Sequence, residues 1–243
     1  MLNLISAEWT KLRTTKSFYV CAITAVVTSV LYGILVGWSS KLSVMPYAPL
    51  MTISIVALTL SIITMVQTAM MVTTEYRYGM ATTNFRVAPK RWQLAAAKLL
   101  LGAVLAALIA LVSTVLALIA GDLTANVPAG WATNSFTQRA MWAVPLGQAL
   151  ITVLVQGIGW LVRNTAGTVI IGLALFLVVD QIVRIIPKVG VTLSENLPYG
   201  NLLSFMINQP NGAHGLWASF GIFCIWAVVA WAAGVLLLQK RDA

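Results

Sequence analysis

The sequence predicts an all-α integral membrane protein with six transmembrane helices. Three observations carry that prediction. The chain is 60% hydrophobic and only 9% charged, against about 25% charged in soluble domains. It contains six apolar runs near the length of about 20 residues that a spanning helix requires. Its fifteen Lys and Arg residues are distributed unevenly between the two sides those runs define. A water-facing surface cannot be built from so few charges, whereas lipid requires none.

The elements follow in chain order, all within one transmembrane domain spanning residues 1–243. Residues 1–16 precede the first span and place Leu2, Ile5, Trp9 and Leu12 on one helical face, with Glu8, Lys11 and Arg13 elsewhere. That pattern predicts an amphipathic helix lying along the inner membrane surface. The spans are expected at Phe18–Trp38, Leu50–Val72, Leu94–Ala120, Met141–Val162, Ala166–Ile186 and Leu216–Leu238. Between them lie a loop at 73–93, a polar outer loop at Gly121–Arg139 and a longer outer loop at 187–215. This last loop is unusually apolar (Leu202, Leu203, Phe205, Met206). It is expected either to dip back into the membrane or to pack over the spans.

The charges orient this plan. Lys11, Arg13, Lys16, Arg77, Arg86, Lys90, Arg91, Lys98, Arg163, Lys240 and Arg241 fall on one side, and Lys41, Arg139, Arg184 and Lys188 on the other. The positive-inside bias places both termini in the cytoplasm, as expected for a multi-pass protein of a bacterial plasma membrane. The net charge of +9 is therefore read as topology and not as a nucleic-acid surface. Trp38, Trp92, Trp142, Trp160 and Trp217 fall near span ends, where indole prefers to sit.

Several chemistries lack their residues. There is no phosphate-binding G-x-x-x-x-G-K-[ST] and no H-E-x-x-H or G-x-S-x-G. The one histidine, His214, lies in a loop, and no metal site is expected. Cys21 and Cys224 sit in apolar runs and read as packing residues. An enzyme is the weak reading.

Softer signals mark a candidate pathway. Ser54, Ser61, Thr64 and Thr68 share a face of the second span with Gln67 beside it, and Gln148 and Gln156 lie on the fourth. Such a stripe serves close packing or lines a polar conduit. Ala230 and Gly234 have the small-xxx-small spacing of close helix contact. Asp180 and Arg184 stand at i and i+4 on the fifth span, with Asp180 about 23 Å along it from Thr165. They form either a local ion pair or an outer gate.

The loop at 73–93 is denser than a connector requires. Its Glu75, Gly79, Thr82 and Thr83 are not explained by positive-inside charge. Gly79 permits a sharp turn, Ala81–Arg86 suits a short surface helix, and Pro89 stops it. "EYRYGMATTNFRVAPKRWQLAAAK" resembles the cytoplasmic loop of type-2 ABC (ATP-binding-cassette) exporter permeases. The shared features are an E-x-R-x-G, then threonines, a P-[KR]-[KR], and an A-A-K entering the third span. Met80 stands where many members carry Thr or Ser. "AEWTKLRTTKSF" is similar to the elbow helix of the same family, especially its small actinobacterial members. The resemblance implies a permease that pairs with a second copy or a paralogue. It implies two copies of a separate ATPase subunit, which bind ATP and Mg while this chain binds no cofactor. It assigns ATPase coupling to Glu75, Arg77, Gly79, Met80, Ala81, Thr82, Thr83 and Arg86. The competing expectation is a non-transport anchor or assembly protein whose basic loop docks a cytosolic partner.

Overall fold

The computed structural model describes residues 2–43, 45–80 and 90–240, and their regular structure is helical. α1 (Leu2–Thr14) is separated by one residue from α2 (Lys16–Ser43). There follow α3 (Pro49–Arg77), α4 (Arg91–Thr124), α5 (Ser135–Val162) and α6 (Thr165–Arg184). Two short helices, α7 (Gly190–Ser194) and α8 (Pro198–Ile207), precede α9 (Leu216–Lys240). Among the described residues, six helices are long and apolar enough to cross a membrane: α2, α3, α4, α5, α6 and α9. The fold is therefore the six-span, all-α membrane protein that hydropathy predicts.

Span ends differ from the expected ones for local reasons. α5 begins at Ser135, because the Asn134 side chain caps it by accepting the Phe136 N–H at 3.0 Å. α4 continues past Ala120 to Thr124. There the Asp122 carboxylate accepts the backbone N–H groups of Ala129 at 2.9 Å and Trp131 at 2.6 Å, folding the loop back onto the helix end. α6 is capped by Asn164, which accepts the Gly167 N–H at 2.9 Å. The helix widens into a π-turn at Ala174–Val178.

α5 is the central helix, the most buried of the six, packed against α3, α4 and α9. Val144, Ile151 and Val155 on it are wholly buried. Its contact with α9 is backbone on backbone. A Cβ added at Gly157 would lie 2.5 Å from the Ala230 carbonyl, and one at Gly234 would lie 2.6 Å from the Gly157 oxygen. The small-xxx-small pair of the last span therefore meets Gly157, where the absent side chain is what admits the neighbouring helix.

The apolar outer segment at 187–215 is accounted for by α8. Leu202, Phe205 and Met206 are fully buried, and the helix packs on α5, α9 and α3. Four of the expected interfacial tryptophans, Trp38, Trp92, Trp142 and Trp217, are exposed as that role requires. Trp160 is a correction. It is wholly buried, edge-on to Tyr76 with ring centroids 6.2 Å apart, because it faces α3 and not the bundle exterior.

Gly157→Val should force α5 and α9 apart at a cost of about 1–3 kcal/mol. Thermal unfolding of the detergent-solubilised chain should show a lowered midpoint; an unchanged midpoint would contradict this packing.

Candidate functional site

The last turn of α3 ends in a defined stop. Gly79 takes φ +67, the Met80 N–H donates to the Glu75 carbonyl at 2.9 Å, and the Gly79 N–H donates to the Tyr76 carbonyl at 3.3 Å. This is the paired arrangement that terminates a helix through a left-handed residue, and glycine fits it without strain. Arg77, Gly79 and Met80 are exposed beyond it. Ala81, Thr82, Thr83 and Arg86 lie outside the described residues. The chain is next described at Lys90, and α4 starts at Arg91, whose Nη1 donates to the Leu238 carbonyl of α9 at 3.1 Å.

Lys98 lies seven residues into α4, about 10 Å along it, and is 1% exposed. Its ammonium donates to Glu8 Oε2 of α1 at 2.5 Å and to Glu75 Oε1 of α3 at 2.8 Å. A longer contact reaches the Met71 carbonyl at 3.4 Å. Lys11 closes the ring, donating to Glu8 Oε1 at 2.7 Å and to Glu75 Oε1 at 3.0 Å. Glu8 is 2% and Glu75 5% exposed. Two carboxylates and two ammonium groups sum to zero charge, which offsets the burial of Glu8, Glu75 and Lys98, while the Lys11 side chain stays 44% exposed. Local sequence makes this reachable. Glu8 and Lys11 share a face of α1 at i, i+3. Ala95 and Ala97, both fully buried beside Lys98, keep the surface of α4 low where its neighbours approach.

Burial alone would lower the Lys11 pKa, but the hydrogen bond to Glu8 and the charges of Glu75 and Glu8 outweigh it and raise it above its ordinary value. A raised folded-state pKa contributes stability that is fully present below the ordinary lysine range. That stability is lost only as pH rises through the folded value. The Lys11 contacts therefore persist at neutral pH.

Beside this cluster lies a cavity of about 310 Å³ between α1, α2 and α3. Glu8, Lys98 and Glu75 form its polar end, and Phe18, Cys21, Met70 and Met71 its apolar walls. Gln67 lines it too.

The other predicted residues are placed elsewhere. Ser61 and Gln148 meet inside the core, Gln148 Nε2 donating to Ser61 Oγ at 3.1 Å and to the Ala57 carbonyl at 3.3 Å. Gln156, also fully buried, accepts the Trp231 indole N–H at 3.0 Å. Thr64 and Thr68 are buried, and half-buried Ser54 donates to the Leu50 carbonyl at 2.8 Å. Thr165 at the start of α6 contacts Thr73 of α3, hydroxyl to hydroxyl, at 2.6 Å. Asp180 and Arg184 are thus at the far end of α6 from the charge cluster, 3.6 Å apart. Asp180 is buried and lies against Gly200 of α8, while Arg184 is half exposed. Burial and the charge of Asp180 push the pKa of neighbouring Tyr199 up to about 12.

Sequence reasoning gave Lys98 a topological role and left Glu8 on the solvated face of α1. The missed signal was available. A lysine inside an apolar span requires a carboxylate, and the whole chain has only six Asp and Glu residues. Glu8, Glu75 and Asp242 are the three that fall on the same side as Lys98, which narrows its partners to a short choice.

The profile of the ABC-2 family transporter proteins matches residues 4–179, from α1 into α6. A search of curated proteins returns no match.

Lys98→Met would leave the two buried carboxylates with the half-exposed Lys11 as their remaining cation and should cost about 3–5 kcal/mol. In a double-mutant cycle of Glu8→Gln with Lys98→Gln, read by unfolding in mixed micelles, the two losses should couple by about 2 kcal/mol. Additive losses would show that the two side chains do not act on each other.

Proposed function

The chain belongs to the ABC-2 family of transporter proteins, and from that premise we propose that it is the permease half of an exporter driven by a separate ATPase subunit. Two such permeases, identical or paralogous, form the channel, and two ATPase subunits dock beneath them. ATP and Mg are held on those partners. The cargo is hydrophobic or amphipathic and leaves the cell. The chain sits in a bacterial plasma membrane with both termini in the cytoplasm, in keeping with the positive-inside bias of its Lys and Arg residues.

One observation supports the coupling role of the segment from Glu75 to Arg86. Glu75 is four residues before Gly79, about 6 Å along α3, and it is tied through Lys98 to both α4 and α1. A force applied beyond Gly79 therefore reaches three helices together and is not dissipated in a loose connector. The sharp stop at Gly79 keeps α3 from extending into the contact surface. Arg77 is exposed at that stop. In this reading, closure of the ATPase pair displaces the segment, and the clamp passes the displacement to α1, α3 and α4. The bundle then exchanges between two arrangements whose free-energy order ATP binding reverses.

Co-expression with the ATPase encoded beside this chain provides the test. The ATPase should co-purify through a tag on the permease. The pair Gly79→Pro and Arg77→Glu should lower ATPase activity in lipid by about tenfold, equivalent to about 1.4 kcal/mol. Recovery of the wild-type chain with no ATPase after gentle extraction would remove the engine. It would favour an anchor or assembly role for the basic loop instead.

A further inference from the structure

A cation drawn into an apolar span needs an anion. Lys98 has two carboxylates, but Arg139, near the start of α5, forms no ion pair among the described residues. The acidic residues at its end of the bundle are Asp122, Asp180 and Glu195. Asp122 accepts the N–H groups of Ala129 and Trp131, Asp180 faces Arg184, and Glu195 lies against Gly212. Of the basic residues at this end, Lys41, Arg184 and Lys188 are exposed, whereas Arg139 is half-buried. It leans on two rings instead. Its Cζ lies 4.9 Å from the centroid of Trp142 and 5.1 Å from that of Phe205, and its Nη2 donates to the Phe205 carbonyl at 3.3 Å. These contacts fix the guanidinium without neutralising it. Nε is buried and unpaired. Nη1 donates to no described atom and is not buried, so it remains open to a partner from outside.

The surrounding rings say what that partner is. Trp142 stacks on Trp217 of α9 with centroids 6.4 Å apart and planes at 20°. Trp142 is 43% and Trp217 67% exposed. The indole N–H groups of Trp226 and Trp231 are bonded within the chain at 3.0 Å each. Those of Trp142 and Trp217 have no acceptor among the described residues, so the open groups here are all donors. Exposed indole sits at the headgroup level of a bilayer. The depth at which Arg139 lacks an anion is thus the depth at which a phospholipid carries its phosphate. A guanidinium offers phosphate parallel N–H donors, a stronger match than a neutral hydrogen bond.

We propose that Arg139, Trp142 and Trp217 seat one phospholipid of the leaflet at the α8 end, its phosphate on Arg139 Nη1 and an acyl chain over the exposed face of Trp217. The site belongs to this chain alone and does not rest on the ATPase reading.

Native mass spectrometry of the full chain released from detergent micelles tests this. The probes are dioleoylphosphatidylcholine and dioleoylglycerol, which share their chains and differ in the phosphate head. Phosphatidylcholine carries no net charge, so the other basic residues do not retain it by charge alone. The first phosphatidylcholine should bind with a Kd about tenfold below that of dioleoylglycerol. Arg139→Gln should abolish that preference and retain one phospholipid fewer, whereas Lys41→Gln, at an exposed cation of the same end, should change neither. Trp217→Ala, at an exposed position, keeps the test open if Arg139→Gln does not fold, and should weaken the first binding step about threefold. Equal binding of the two probes, or unchanged retention of phosphatidylcholine by Arg139→Gln, would show that the rings alone satisfy the guanidinium and would overturn the proposal. A dimer in the same spectra that is lost in Arg139→Gln would also overturn it, because the anion would then be a carboxylate of a second copy.

Discussion

An ammonium group withdrawn from water must be met by carboxylate, and at Lys98 two different helices supply it. Desolvating each ion costs several kcal/mol, and close multiple contacts are what repay it. The arrangement fixes much else. α1 cannot drift from the bundle while Glu8 is 2.5 Å from Lys98. The last turn of α3 cannot swing while Glu75 holds the same ammonium at 2.8 Å. α4 must present alanines around Lys98, since larger side chains would hold the carboxylates away. The cavity also follows from the clamp, because its polar end is the clamp itself.

The two ends of the bundle contrast. At the α1 end, charge, cavity and the Gly79 stop lie together, and α1, α3 and α4 are joined by polar contacts that depend on geometry. At the other end α8 fills the space over α5 with Leu202, Phe205 and Met206. Between them α5 runs as a spine whose contact with α9 at Gly157 is too close for any side chain. A transporter built this way has a tightly packed centre, and among the described residues the ion cluster that joins three helices lies at one end. In the coupling proposal, that is the end on which the ATPase acts.

Much of this fold could be read from the sequence, for reasons particular residues make clear. The six spans follow from length and hydropathy, which are local properties. Gly79 announced its turn because only a left-handed position makes glycine useful there. The spacing of Ala230 and Gly234 marked a close contact, although not that Gly157 would be its partner. Position near a span end suggested an interfacial place for Trp160 and a purely topological charge for Lys98, but each side chain is buried against a partner distant in sequence. Glu8 lies 90 residues from Lys98, and no periodicity connects them. The apolar character of α8 was visible, but its packing against α5 depends on Gly147 leaving room for Met206. The coupling residues Ala81, Thr82, Thr83 and Arg86 rest on resemblance alone.

The central claim is that Lys98 holds α1, α3 and α4 as one unit, and amide hydrogen exchange in nanodiscs tests it most directly. In the unaltered chain, amides of α1 should be protected to a degree similar to those in the last turn of α3. In Lys98→Gln, exchange across residues 2–14 should rise by about tenfold or more, since opening would no longer require breaking the clamp. Exchange in α9 should stay unchanged. If α1 exchanges equally in both proteins, it is not the ion cluster that holds α1, and the account built on it does not stand.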